Sequence, residues 1–349
     1  MKFTHGMIFL LVAAMLLPAC GSAVDVAPDC KSPDVFCIGV VTDVGKIDDN
    51  SFNQSAWEGA KQAEKNLGAI VNYIETANAI DYDKNLETFG EAGYDVIVSV
   101  GFALGKATSR VAAAYPDTNF IGVDQPQDNG EPGPINLVGL VFPEDQAGFL
   151  VGALAAQMSK SKKIGAVCVA DSIQTFWKYG EGYKAGAAYE DAESGTITEV
   201  TVVYHNDVGF DETFVDPTWG ANKANAMIDA GADVIFGCGG KTGNGAVSAA
   251  AQRNVYAIGV ETDQFFTLPE AKKILLSSAI KLITPGVFDL IKMAKDGEFP
   301  SGNYYGAAGY APFHALDRAV PAEVKTKMEQ IAQGLIDGSI ETKVPAVKP

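Results

Sequence analysis

Histidine is scarce, with three in 349 residues. One of them, His5, falls in the opening apolar segment, and neither His205 nor His314 has a nucleophile motif beside it, so the usual constellations of acid–base and covalent catalysis are missing. No Gly-x-Ser-x-Gly elbow occurs, which removes the serine hydrolases of that design. Gly237-Cys238-Gly239-Gly240-Lys241-Thr242 ends like a phosphate loop, but the fingerprint needs a further glycine where this chain has Ile235. Cysteine is also sparse, at five, with no Cys-x-x-Cys pair and no His-rich cluster, so neither a metal site nor a cofactor is expected. Bases number 26 against 43 acids, a net charge of -17, and no run of Lys and Arg stands out, which argues against nucleic-acid binding. The apolar run Met7 to Leu17 is too short to span a bilayer. What remains is a chain 47% hydrophobic with 37 glycines, long enough for two α/β domains and ample core.

The first residues read as an address. Lys2, the apolar run and the small residues after it follow the order of a secretory signal, here residues 1–19. Leu17-Pro18-Ala19-Cys20-Gly21-Ser22 resembles a bacterial lipobox, in which Cys20 is acylated and becomes the new N-terminus; the alternative is ordinary cleavage with Cys20 a plain thiol. Acylation implies an extracytoplasmic, lipid-anchored protein of the bacterial cell membrane. Residues 20–36 lack helical or strand period and read as a tether. In an oxidising compartment Cys30 and Cys37, flanking a loop with Pro33, could close a short disulfide at the base of the first strand, whereas Cys168 and Cys238 lie in apolar runs and read as buried thiols.

Beyond the tether, short apolar runs alternate with helical stretches. Cys37 to Thr42 is strand-like, and Ser51 to Leu67 is helical, with Ala56, Ala60, Ala63 and Leu67 on one face. Strands at Ile70 to Ile74, Val96 to Val100 and Phe120 to Val123 alternate with helices near Tyr82 to Ala92 and Leu104 to Tyr115. This order implies a parallel sheet covered by helices. The second half repeats it: Gly93-Tyr94-Asp95-Val96-Ile97 matches Gly231-Ala232-Asp233-Val234-Ile235, Gly101 matches Gly239, and Phe120-Ile121-Gly122-Val123-Asp124 matches Ala257-Ile258-Gly259-Val260-Glu261. So long a period marks a duplicated domain. The expected architecture is two Rossmann-like α/β lobes joined by a hinge, with a ligand between the carboxyl ends of their strands. The N-terminal lobe is placed at 37–143 plus part of about 282–310, and the C-terminal lobe at 144–281 with about 311–349.

The candidate residues sit at strand ends. In the loop Asp43 to Asn53, Asp48, Asp49, Asn50 and Ser51 are natural helix caps, and Phe52 beside Asn53 either stacks on a flat base or staples the helix start. Asp124 and Glu261 are matched acids, one per lobe, able to accept hydroxyl hydrogens from a sugar or to cap helices. Lys281 follows an apolar run and either reaches an acid such as Glu261 or snorkels to solvent. The glycine turn at Gly239 either brings backbone N–H groups to a ligand or serves only as a tight turn. Phe176, Trp177, Tyr179 and Phe214 divide between core packing and a second stacking wall.

The lipobox-like start, Val41-Thr42-Asp43-Val44-Gly45-Lys46-Ile47-Asp48-Asp49-Asn50-Ser51-Phe52-Asn53-Gln54, Gly122-Val123-Asp124, Gly180-Glu181-Gly182-Tyr183-Lys184-Ala185-Gly186 and Gly259-Val260-Glu261-Thr262-Asp263-Gln264 together resemble the basic membrane protein family of substrate-binding lipoproteins of ABC importers. The resemblance implies a type I periplasmic-binding-protein fold, a purine nucleoside held between the lobes, an ABC permease with its ATPase subunits as partners, and a monomer without catalytic activity. Carried over by motif, Phe52 is one base-stacking wall and Phe214 the other, with Asp48, Asp49 and Asn53 near the base or its loop. Asp124, Glu261 and Lys281 meet the ribose beside the Gly239 turn. The family usually carries Asp where this chain has Glu261; one more methylene moves the carboxylate by about a bond length, which bears on ribose geometry and ligand choice. The rival readings are a receptor for a sugar or other small polar solute, an exported nucleoside-processing enzyme, and a surface lipoprotein whose ligand role has lapsed.

Overall fold

The computed structural model describes residues 29–49, 51–127, 133–209 and 212–349. The expected signal, Cys20 as the expected lipidation site and the first part of the expected tether lie outside them. Cys30 and Cys37 are joined by a disulfide, their Cα atoms 5.7 Å apart. Val35 and Phe36 pack against first-lobe core residues, so the packed lobe begins upstream of Cys37.

The first half runs β1 (Cys37–Val44), α1 (Phe52–Leu67), β2 (Ile70–Thr76), α2 (Tyr82–Glu91), β3 (Val96–Val100), α3 (Gly105–Ala114), β4 (Asn119–Val123) and β5 (Leu137–Val141). The second runs α4 (Glu144–Met158), β6 (Lys163–Cys168), α5 (Gln174–Ser194), β7 (Glu199–Tyr204), α6 (Pro217–Asp229), β8 (Val234–Cys238), α7 (Gly240–Arg253), β9 (Tyr256–Glu261), α8 (Gln264–Thr267) and β10 (Leu275–Lys281). Then come α9 (Ile283–Asp296), β11 (Gly302–Tyr305), β12 (Ala308–Tyr310) and α10 (Ala322–Asp337). The central strands β3 and β8 are buried at every residue, and apolar but for Ser99, because helices cover both faces of a parallel sheet.

Two six-stranded sheets result, ordered β11-β5-β4-β3-β1-β2 and β12-β10-β9-β8-β6-β7. The expectation of two α/β lobes built on parallel sheets holds, with one departure: β12 pairs antiparallel to β10. The reason is geometric. β11 runs parallel to β5, toward the carboxyl ends of the first sheet; after only Gly306 and Ala307 the chain enters the second lobe from that side, opposite in direction to β10. The chain thus passes between the sheets three times, after β5, β10 and β11. On the second passage α9 turns Ile283, Val287, Leu290 and Ile291 into the first-lobe core beside Ala56 and Ala60 of α1.

Small residues decide how closely the layers approach. A Cβ at Gly148 or Gly152 of α4 would run into the carbonyls of Tyr179 and Tyr183, and one at Gly182 or Gly186 of α5 into those of Asp145 and Phe149. The two helices therefore meet backbone to backbone, which accounts physically for Gly182 and Gly186, whereas a Cβ at Gly180 would meet the Tyr204 hydroxyl. The duplication extends to strained conformations: φ is +104° at Gly101 and +114° at Gly239, and +59° at Asp124 and +67° at Glu261. Among the described residues no helix is long and apolar enough to cross a membrane, and no group of three or more His, Cys, Asp or Glu could hold a metal ion.

Candidate functional site

The carboxyl ends of the strands from both sheets enclose a cleft whose empty volume, counting the part open to solvent, is about 950 Å³. The end of β1 contributes Asp43, the loop after it Asp49, and the first turn of α1 Phe52 and Asn53; β9 and the segment before α6 contribute Glu261 and Phe214.

Asp49 caps α1. Its carboxylate accepts the backbone N–H groups of Ser51 at 2.8 Å, Asn53 at 2.9 Å and Gln54 at 3.2 Å. Burial nevertheless pushes its carboxyl above the usual range, outweighing those bonds. Asn53 donates its side-chain N–H to Asp43 Oδ1 at 3.0 Å, which fixes the orientation of the amide and leaves its buried Oδ1 without a hydrogen-bond partner. Phe52 lines the cleft directly over the start of α1.

Across the cleft, the segment that carries Phe214 is held by the hydroxyl of Thr242. Thr242 donates to the Thr213 carbonyl at 2.6 Å and accepts the Asp216 N–H at 3.0 Å, gripping the chain on both sides of Phe214. The Phe214 ring then meets Phe176 edge-on, centroids 5.5 Å apart.

Beneath these walls lies a buried ionic cluster. Lys281 Nζ stands 2.6 Å from Asp124 Oδ2 and 3.2 Å from Glu144 Oε1, with Phe52, Phe142 and Tyr179 rings around it at 5.6 to 5.7 Å. Burial alone would lower the Lys281 pKa, but Asp124, Glu144 and Glu261 together raise it, so the ammonium stays charged. Burial raises Asp124 more than Lys281 lowers it. Glu261, which accepts from Ser51 Oγ at 2.9 Å, is pushed up to about 7 by burial, with Lys281 opposing and Asp124 reinforcing the shift.

Of the residues singled out from sequence, Asp49, Phe52, Asn53, Asp124, Phe214 and Glu261 all line this cleft. Three do not. Asp48 is exposed and faces away, because Asp49 rather than Asp48 turns in to cap the helix. Gly239 packs against the Phe176 ring, which a Cβ there would meet at 2.7 Å, and Gly240 lines the cleft in its place. Lys281 sits behind the acids with a fully buried side chain, paired with Asp124 and Glu144 instead of Glu261. Sequence reasoning missed Glu144, whose position in the first turn of α4 reads as an ordinary dipole-complementing acid. It also missed Asp43 as a cleft carboxylate, for which the sequence offered no signal beyond its loop.

A family model described as "ABC transporter substrate-binding protein PnrA-like" (Bmp) matches residues 37–307. The chain is 32% identical to the CD4+ T-cell-stimulating antigen of Listeria innocua, over 98% of each chain. It is 31% identical to the ABC transporter nucleoside-binding protein BmpA of Lactococcus lactis, over 86% of this chain and 87% of that one. In structure it is similar to an ABC transporter solute-binding protein of Aeropyrum pernix, with TM-score 0.74 and 26% identity, covering 88% of this chain and 92% of that one. These neighbours share the type I solute-binding fold, and the family consists of binding proteins, not enzymes. On the match across residues 37–307, the chain belongs to the Bmp family, the PnrA-like substrate-binding proteins of ABC transporters.

Proposed function

We propose that this chain is a lipid-anchored, extracytoplasmic receptor that holds a purine nucleoside between its lobes and presents it to a permease and its ATPase subunits. The single observation that carries the reading is the meeting of Asp124 and Glu261 with Phe52 and Phe214 in one cleft, acceptors for hydroxyls beside aromatic faces for a base. The Lactococcus relative is named a nucleoside-binding protein and the Pyrococcus relatives are named lipoproteins, and these names support the same reading.

In this reading Phe52 and Phe214 stack on the base, and Asn53 offers it the unpartnered Oδ1. The free Oδ1 of Asp124 and the carboxylate of Glu261 accept ribose hydroxyl hydrogens, with Lys281 holding Asp124 in place. Ligand contacts from both lobes favour a closed state reached by hinge motion.

Titration calorimetry of refolded, ligand-stripped protein against adenosine, guanosine, inosine, cytidine and ribose tests this. Tight binding of a purine nucleoside supports the reading. Binding of ribose with no response to any nucleoside overturns it in favour of a sugar receptor.

A further inference from the structure

Ser51 stands at the N-cap of α1, yet its hydroxyl does not cap the helix. Asp49 has taken that work, accepting the N–H groups of Ser51, Asn53 and Gln54. The Ser51 hydroxyl is only 3% exposed as a residue and is spent elsewhere: it donates across the cleft to Glu261 Oε2 at 2.9 Å. A good capping residue freed from capping and aimed into the opposite lobe needs another explanation.

The matched acid shows the same pattern in mirror image. Asp124, from the first sheet, gives Oδ2 to Lys281 at the end of β10 in the second. Glu261, from the second sheet, gives Oε2 to Ser51 in the first lobe. Each acid thus has one oxygen held by the other lobe, and both occupy positive-φ positions that direct the side chain out of the strand line.

Resting on the receptor reading above, we infer that Ser51 is a positioning residue for ligand selection. By holding one oxygen of Glu261 it fixes the carboxylate, keeps it available as an acceptor, and limits what it offers the ligand to a single oxygen. The ligand then meets one acceptor from each lobe, suited to two neighbouring hydroxyls donating to different acids. The groups whose charges bear most on Glu261 are Lys281 of β10, Asp124 at the end of β4 and Asp49 before α1, with Tyr179 of α5 and Cys238 of β8 also beside it, and Asp43, Lys46 and Lys241 line the same cleft. Lys281 is the cation that acts most on Glu261, and the Ser51 hydrogen bond is the other leading contact that favours the ionised acid.

The test has two arms in the full-length protein. In the first, without nucleoside, the carboxyl carbon of Glu261 is followed by NMR from about pH 5 to about pH 9, its resonance identified by its loss in Glu261→Gln. Ser51→Ala should move the Glu261 midpoint upward, and Ser51→Thr should restore it. An identical midpoint in wild type and Ser51→Ala overturns the assignment. In the second arm, inosine affinity is measured over the same range. Ser51→Ala should lose about tenfold near neutral pH and recover toward the alkaline end, because the ionised acid is the stronger acceptor. A loss of equal size at every pH would mark Ser51 as merely structural and overturn the proposal. If wild type binds no purine nucleoside, the receptor reading fails, and the NMR arm still decides whether Ser51 governs Glu261.

Discussion

Lys281 Nζ and Asp124 Oδ2 lie 2.6 Å apart on side chains that belong to different sheets, the lysine wholly out of water. A buried ammonium is tolerated only when paired, and Glu144 at 3.2 Å completes the pairing. The cluster is therefore a rivet between lobes as much as part of a binding floor.

Removing the cation alone should leave Asp124 buried without its counter-ion, while Glu144 keeps Lys178 at 3.9 Å. Lys281→Met is expected to cost about 3 to 5 kcal/mol in urea unfolding. Adding Asp124→Asn to it should recover part of that loss, since the stranded charge is gone. Equal stability of wild type and Lys281→Met would show that the acids take up protons at little cost.

The two glycine turns allow a controlled comparison. Gly239 combines a φ of +114° with a Phe176 ring 2.7 Å from where a Cβ would sit, whereas Gly195, at the end of α5, has a φ of +70° and nothing within 4 Å. Gly195→Ala should cost about 1 kcal/mol, the backbone penalty alone. Gly239→Ala should cost roughly 2 kcal/mol more and weaken ligand binding as well, because Phe176 is displaced and supports Phe214. Similar melting temperatures for the two variants would show that the Phe176 ring gives way freely.

The parts legible in the sequence were those with local signatures. Strand β3 reads as an apolar run of β-branched residues and α1 as an alanine stripe at helical spacing, and both form where that period places them. The repeat paired Asp124 with Glu261, and the structure gives both the same unusual backbone conformation. What could not be read were relations set by the crossovers. Lys281 finds Asp124 across 157 residues, and Ser51 finds Glu261 across 210, only because the chain changes lobes between them. Nothing local tells that Ser51 is released from capping by Asp49 two residues earlier, or that Gly240 and not Gly239 lines the cleft.

If Phe52 and Phe214 grip one base from its two faces, each is worth about 1 to 3 kcal/mol of nucleoside affinity. Phe52→Ala and Phe214→Ala should then each weaken purine binding by that amount, while Phe52→Tyr, which keeps the face, should lose far less. Calorimetry that finds the Phe52→Ala affinity unchanged would remove this ring from the site and leave its role as packing against the Lys281 ammonium 5.7 Å away.

The pH dependence of stability follows from Glu261, whose carboxyl is pushed up to about 7 from an ordinary value of 4.5. Between those values the folded protein holds a proton that the unfolded chain has released, so stability falls as pH rises through this window. Below it both states are protonated and the group makes no difference; above it the full penalty of burying the charge is present. The magnitude is up to about 3 kcal/mol. Asp124 and Asp49 are raised for the same reason and should add to the slope. In Glu261→Gln, which keeps an acceptor for Ser51 without a titrating proton, urea unfolding should show a shallower decline across the window. An unchanged slope in that variant would mean that the Ser51 bond and the Lys281 field already hold Glu261 ionised, and the pH dependence would then belong to Asp124 and Asp49.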